Sequence, residues 1–196
     1  MTEQSHHRVG AGADPVYPQW PNLSANPGET ILQAAERHGT EIPHLCYRKG
    51  MRADGNCRAC VVEIKGERVL APSCCRYPQA DMNVSSISLR ALHAQDMVLE
   101  LPLSDMPDEL YRLDSELHYW AQQRGLKHAR FPARRQPAAD SSHPAMAVNL
   151  DACIQCTRCL RACREEQVND VIGYAFRSEH AKIVFDFDDP LGNRPV

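Results

Sequence analysis

The pattern of hydrophobic and polar positions becomes regular at residue 30, where it predicts a short helix. Thr30 and Gln33 fit a capping box, in which each side chain satisfies the backbone amide of the other residue. Helical spacing continues to residue 38, and Gly39 is typical of the position that ends a helix. We therefore expect a helix over residues 30–38.

A hairpin is predicted directly after Cys60. Two runs rich in β-formers, residues 61–64 and 69–71, are joined through the turn residues 65–66. This assignment places Cys57 and Cys60 on the loop that leads into the first strand.

Helical spacing returns after the hairpin. Apolar residues recur loosely at that spacing over residues 89–101 and regularly farther on. The regular stripe consists of Leu110, Leu113, Leu117 and Trp120. We expect a packing helix here, ending near Gly125.

Residues 126–147 are rich in proline and arginine, which predicts an extended connector that divides the chain into two modules. We expect Arg130, Arg134 and Arg135 to lie on a surface, either as a solvated basic linker or as a partner contact.

The second module is predicted to contain another hairpin. Residues 171–176 and 183–187 are β-rich and could pair across residues 178–181. By contrast, residues 1–26 carry several prolines and little alternation, so we expect this segment to be disordered or irregular.

Composition narrows the function classes. The 196 residues include 22 Lys and Arg against 25 Asp and Glu, a net charge of −3, and 43% are hydrophobic. No apolar stretch is long enough to span a membrane, so we expect no membrane span. The absence of a basic face argues against nucleic acid as a partner.

Cysteine is the unusual residue type: there are nine, in two groups at residues 46–75 and 153–163. The N-terminus has no apolar core of the secretory kind, so we expect a cytoplasmic protein. In that reducing compartment, clustered cysteines more often bind metals or carry out redox chemistry than form disulfides.

The first group has the spacing C-x10-C-x2-C-x13-C, which suits a [2Fe-2S] cluster. The candidate ligands are Cys46, Cys57, Cys60 and Cys74. A structural zinc site or a C-x-x-C redox pair are alternatives, although zinc sites more often use two C-x2-C pairs. Cys75 is an extra cysteine that we expect to be a buried or incidental thiol.

The second group reads C-x2-C-x2-C-x3-C, which predicts a [4Fe-4S] cluster. The candidate ligands are Cys153, Cys156, Cys159 and Cys163. In two-cluster ferredoxins the fourth cysteine of such a run binds the other cluster, and this chain has no second run. Cys163 therefore either closes the same cubane, or the site needs ligands from a longer chain, or the cluster is incomplete.

These residues carry a family resemblance, most clearly in residues 55–64, 70–74 and 149–168. The chain resembles the N-terminal iron-sulfur region of the alpha subunit of NAD-dependent, molybdenum- or tungsten-containing formate dehydrogenases, which is related to the large iron-sulfur subunit of respiratory complex I. The resemblance implies an α+β fold: a β-grasp [2Fe-2S] ferredoxin-like domain, a helical connector and a small [4Fe-4S] ferredoxin-type module. The corresponding divisions are residues 1–26, 27–103, 104–146 and 147–196.

The resemblance further implies electron transfer between a pterin-metal catalytic site and a flavin-bearing, NAD-binding diaphorase partner. The catalytic domain of that family is missing, so the chain looks truncated and is not expected to be active alone. Alternatives are the small iron-sulfur subunit of an NAD-reducing hydrogenase, or a zinc-stabilised interaction module without a redox role.

Two family features have no counterpart in this sequence. The opening β-hairpin should precede Pro27, yet residues 16–25 show no clear strand pairing. Many relatives hold an additional cluster through one histidine and three cysteines, but no cysteine lies between Cys75 and Cys153. We therefore expect surface or packing roles for the histidines between the two groups. They are His93, His118, His128 and His143.

Overall fold

A computed structural model describes residues 24–106, 115–127 and 129–193 of the chain. The expectations for most of residues 1–26, for Leu110 and Leu113, and for His128 lie outside the described residues.

The first part of the fold is a helix packed on a small antiparallel sheet. Helix α1 spans Ile31–Arg37. The strands are β1 at Val61–Ile64, β2 at Ala71–Pro72 and β3 at Val84–Ser85, in the order β2-β1-β3. Both partners of β1 run antiparallel to it.

The capping box at the start of α1 is confirmed. Oε1 of Gln33 accepts a hydrogen bond from the Thr30 amide at 2.9 Å, and Oγ1 of Thr30 accepts one from the Gln33 amide at 3.3 Å. The amide of Leu32 donates to the carbonyl oxygen of Ser73 at 3.0 Å. The start of α1 is therefore attached to the segment that carries Cys74.

The predicted hairpin is present, but its second strand is shorter than expected. The strand covers only Ala71–Pro72, and Val69 lies in an irregular stretch before it and is 56% exposed. The register pairs Val61 with Pro72 and Val62 with Ala71. Strand β3 was not predicted from the pattern, since two residues are too few to show an alternation.

Two capped helices form the second core. Helix α2 spans Leu89–Leu103 and α3 spans Glu116–Gln123, with Ser88 and Ser115 as their N-caps. The core between them and the cysteine loop consists of Leu45, Ala59, Leu99, Leu117 and Trp120. The prediction of packing helices in this region is confirmed for the described residues.

The remaining elements belong to the second half of the chain. A hairpin pairs β4 at Asp140–His143 with β5 at Met146–Val148. Helix α4 at Arg158–Arg161 continues into a π-helix at Ala162–Glu166. A further hairpin pairs β6 at Ile172–Ala175 with β7 at Lys182–Phe185. Short 3-10 helices cover Ser178–His180, Asp186–Asp188 and Leu191–Asn193.

These elements correct one prediction and confirm another. The prediction of an extended connector over residues 126–147 is wrong for its last part, because β4 and β5 form a hairpin there. The hairpin predicted from residues 171–176 and 183–187 is confirmed. Among the described residues, no helix is both long and apolar enough to cross a membrane.

The surface role predicted for the connector arginines is wrong for Arg134. Its side chain is 9% exposed, its Nε lies 3.2 Å from Oδ2 of Asp105, and its Nη1 donates to the carbonyl oxygen of Ala181 at 2.7 Å. Arg134 therefore attaches the connector to the end of α2 and to the start of β7. Arg135 is exposed, and Arg130 is 62% exposed and pairs with Glu100 at 2.5 Å.

Candidate functional site

The structure brings the four cysteines of the first group together. The sulfurs form a chain of side-chain contacts in the order Cys57, Cys46, Cys74, Cys60. Cys46, Cys60 and Cys74 have no exposed surface, and Cys57 is partly buried. Sequence spacing alone predicted this convergence of residues up to 28 positions apart (74 − 46).

Backbone amides point at these sulfurs. The Cys46 amide donates to Sγ of Cys57 at 3.4 Å, and the amides of Asn56 and Cys57 in turn donate to the Cys46 sulfur. The Ala59 amide also donates to the Cys57 sulfur. N–H donors of this kind stabilise negative charge on thiolates and on the cluster they bind.

Hydrogen bonds among the four cysteine side chains shift the pKa values of their thiols. Donation from the Cys57 and Cys74 thiols holds the pKa of Cys46 far below its usual range. The same contacts, together with burial, raise the pKa of Cys57 and of Cys74. Hydrogen bonding with Cys74 likewise lowers the pKa of Cys60, so contacts within the group favour the thiolate form at Cys46 and Cys60.

Gly55 and Cys75 lie close to each other beside the candidate ligands. Gly55 has a φ of +65°, and a Cβ atom at that position would lie 2.9 Å from Sγ of Cys75. Cys75 is partly buried, and its sulfur lies 3.6 Å from that of Cys74. Cys75 is therefore packed beside the candidate ligand Cys74, and its role as a buried or incidental thiol stays a prediction.

The second group is more open. Cys153 and Cys156 are partly buried and Cys159 is exposed. Cys153, Cys156 and Cys159 lie close enough to influence one another electrostatically, and burial raises the pKa of Cys153 and of Cys159. Gln155 and Thr157 adopt positive φ angles of 55° and 59°, so the loop turns sharply between successive cysteines.

Cys163 lies in a different environment from the other three. It is 8% exposed, it lies in the π-helix, and its thiol donates to the carbonyl oxygen of Asn169 at 2.9 Å. Thiolates in a metal site cannot donate in this way, so binding a cluster would require Cys163 to release Asn169.

The two cysteine groups are in direct contact through arginines of α4. Arg158 donates from Nη2 to the Tyr47 carbonyl oxygen at 2.7 Å, and its Nη1 contacts Oε2 of Glu116. Arg161 donates from Nη2 to the Cys46 carbonyl oxygen. The sequence reasoning missed both arginines, although their i, i+3 spacing places them on one helix face.

Further contacts join the loops themselves. Nδ2 of Asn56 donates to Oγ1 of Thr157 at 2.8 Å, and Nη2 of Arg52 lies 2.7 Å from Oε1 of Glu165. A cleft of about 710 Å³ lies between the groups, with Cys57 and Cys153 in its wall. The two cysteine groups therefore contribute to the wall of the same cleft.

The first site matches a known family. Residues 21–88 match the family described as "2Fe-2S iron-sulfur cluster binding domain". The chain carries a 2Fe-2S domain. All four cysteines of the first group lie within the matched residues, and the second group lies outside them.

The regions beyond the 2Fe-2S domain also have relatives. The chain is 33% identical over 176 residues to the NADP-reducing hydrogenase subunit HndD of Solidesulfovibrio fructosivorans, covering 85% of this chain and 30% of that protein. It is 34% identical over 151 residues to an NADH-quinone oxidoreductase subunit of Rhizobium meliloti, covering 74% of this chain and 18% of that protein.

A third relative is a protein of Staphylococcus aureus provisionally named as a formate dehydrogenase. It is 28% identical over 170 residues, which cover 84% of this chain and 17% of that protein. The chain thus spans less than a third of each of these curated relatives. The resemblance to the iron-sulfur regions of formate dehydrogenases and complex I is confirmed.

Among solved structures, the chain is similar to an NAD⁺-reducing [NiFe]-hydrogenase in the H2-reduced state. The TM-score is 0.74 and the identity 27%, with 83% of this chain and 70% of that chain covered. A ferredoxin-type 2Fe-2S domain within a mixed helix and strand fold is therefore confirmed.

The residues of the first group fit a [2Fe-2S] cluster by the chemistry of their donors. A two-iron cluster takes four thiolates and divides them between two metals. The chain of four sulfurs in contact, three of them in fully buried cysteines, with backbone amides directed at Cys46 and Cys57, suits this two-metal arrangement.

Proposed function

We propose that the chain transfers single electrons through iron-sulfur clusters as part of an NAD-linked oxidoreductase complex. Cys46, Cys57, Cys60 and Cys74 would hold the [2Fe-2S] cluster. The observation that carries this proposal is the contact among four sulfurs, three of them in fully buried cysteines, with backbone amides directed at Cys46 and Cys57.

The second group is proposed to hold a [4Fe-4S] cluster through Cys153, Cys156, Cys159 and Cys163. Three of these cysteines lie near one another, and Cys159 lies on α4, whose arginines contact the backbone beside the first site. The fourth, Cys163, would have to give up its hydrogen bond to Asn169. Iron analysis tests this ligand set: about six irons per chain support it, and about two irons contradict it.

The preferred complex is a formate dehydrogenase, in which this chain would relay electrons between a pterin-metal site and a flavin-bearing, NAD-binding diaphorase partner. The amino-acid sequence of residues 152–168, which resembles formate dehydrogenases, supports this choice. The alternative is a small iron-sulfur subunit of an NAD-reducing hydrogenase. Its support is the 0.74 TM-score with a [NiFe]-hydrogenase chain and the 33% identity with a hydrogenase subunit.

An experiment on the native complex distinguishes the formate dehydrogenase assignment from the hydrogenase assignment. A tagged chain is isolated anaerobically with its partners, oxidised, and supplied with formate in one sample and with hydrogen in another. Electron paramagnetic resonance then reports which substrate reduces the clusters. Reduction by formate supports the preferred complex, and reduction by hydrogen supports the alternative. A complex that holds zinc and no iron would support the interaction module without a redox role.

A further inference from the structure

Arg161 is a buried arginine at the boundary between the two cysteine groups. It is 2% exposed, and it lies on α4 between Cys159 and Cys163. Its Nη1 donates to the carbonyl oxygen of Arg52 at 2.5 Å, and its Nη2 donates to that of Cys46. One guanidinium from the second group therefore holds both ends of the segment that follows Cys46.

The charge of Arg161 is only weakly neutralised by the protein. Its Nε lies 4.0 Å from Oδ2 of Asp54, at the outer limit of an ion pair. In the part of the chain that the structure describes, this buried Nε has no hydrogen-bond partner. Burial of a cation with so little compensation is unfavourable unless negative charge develops nearby. The guanidinium donates to the backbone carbonyl oxygen of Cys46, so a cluster held by Cys46 would bring such negative charge close to it.

We propose that Arg161 is a positioning residue that orients the Cys46 loop and raises the reduction potential of the cluster held there. This inference rests on the proposed function. Addition of one electron to the oxidised [2Fe-2S] cluster makes the cluster more negative by one unit. A buried positive charge beside a ligand stabilises the reduced form more than the oxidised form, because the low-polarity interior screens the attraction weakly.

Arg158 provides the matched control. It lies on the same face of α4 and donates to the carbonyl oxygen of Tyr47, the residue next to Cys46. Its charge, however, is paired with the carboxylate of Glu116. Removal of Arg158 breaks a comparable contact between the two groups and leaves the buried charge of Arg161 in place.

The experiment is a redox titration of the anaerobically reconstituted full chain, followed by electron paramagnetic resonance of the [2Fe-2S] signal. Dithionite supplies the electron. We expect Arg161→Gln to lower the equilibrium constant for reduction about tenfold, equivalent to about 59 mV for one electron. Arg158→Gln should shift the midpoint far less, and Arg161→Lys should stay near the wild-type value because it keeps the charge.

A midpoint of Arg161→Gln equal to that of the wild type would overturn the inference. Equal shifts in Arg161→Gln and Arg158→Gln would also overturn it, since loss of the interface would then explain both. Where Arg161→Gln fails to take up the cluster, Arg161→Lys decides: a wild-type midpoint supports the role of charge, and a tenfold shift contradicts it. A wild-type chain without any [2Fe-2S] signal would instead contradict the proposed function.

Discussion

Asn56 and Thr157 are joined by a hydrogen bond of 2.8 Å from Nδ2 to Oγ1. Asn56 directly precedes Cys57, and Thr157 directly follows Cys156. A single side-chain contact therefore connects the backbone of one cysteine group to the backbone of the other. Together with Arg161, it fixes the relative positions of two loops about 100 residues apart in sequence.

This contact should be measurable as a coupling energy. Asn56→Ala and Thr157→Val each remove one partner, and the valine keeps the shape of threonine. We expect a coupling of about 1 kcal/mol in a double-mutant cycle, the usual net value of one hydrogen bond. Urea unfolding of the cluster-loaded chain, followed by the fluorescence of the buried Trp120, provides the measurement. Additive effects of the two substitutions would show that the loops are held independently.

Substitution of Cys57 should distinguish the signal of the first cluster from that of the second. Cys57→Ser removes one ligand from the first group, so the [2Fe-2S] signal is expected to disappear while iron at the second group remains. Visible absorption and electron paramagnetic resonance of the reduced chain check this outcome. An unchanged [2Fe-2S] spectrum would contradict the assignment of Cys57 as a ligand.

Cys75→Ser is the control for that experiment. The sulfur of Cys75 lies 3.6 Å from the sulfur of Cys74, yet Cys75 packs at the edge of the core. Its substitution should leave the cluster signal and the iron content close to those of the wild type. Loss of the signal in Cys75→Ser as well would indicate that Cys75 takes part in binding.

Local signals in the sequence predicted the local features of this structure. The capping box of Thr30 depends on residues three positions apart, and the spacing of the first cysteine group indicated sulfurs that the fold does bring together. The burial of Arg161 and Arg134 could not be predicted in this way, since arginine is usually exposed. Their partners are backbone carbonyl groups and carboxylates far away in the chain, which only the tertiary fold brings near.

The conformation of Gly55 should make it sensitive to substitution. Gly55→Ala adds a Cβ atom 2.9 Å from Sγ of Cys75 and forces an alanine to a φ of +65°. We expect a loss of about 1–2 kcal/mol in the free energy of unfolding and weaker retention of the cluster. Urea unfolding and the rate of iron release to a chelator measure the two effects.

The double variant Gly55→Ala with Cys75→Ala separates the two causes. Removal of the Cys75 sulfur relieves the steric contact but leaves the positive φ angle. Partial recovery is therefore expected. Full recovery would show that the φ angle costs nothing, and no recovery would show that the contact with Cys75 is unimportant.

The cap of α1 should affect the stability of the first site. Thr30→Ala removes the oxygen that accepts the Gln33 amide, and the loss of such a cap typically costs about 1 kcal/mol. Because Leu32 bonds to Ser73, next to Cys74, slower uptake of iron is expected as well. Thr30→Ser keeps the oxygen and should behave like the wild type. Equal loss in both variants would attribute the effect to the Thr30 methyl group instead.

The account depends most directly on the identity of the group bound by Cys46, Cys57, Cys60 and Cys74. The decisive measurement is electron paramagnetic resonance of the dithionite-reduced full chain, with iron, sulfide and zinc determined on the same sample. The account predicts a [2Fe-2S] signal that accounts for about one unpaired electron per chain, with at least about two irons and two sulfides. About one zinc per chain, without sulfide and without a signal, would contradict it.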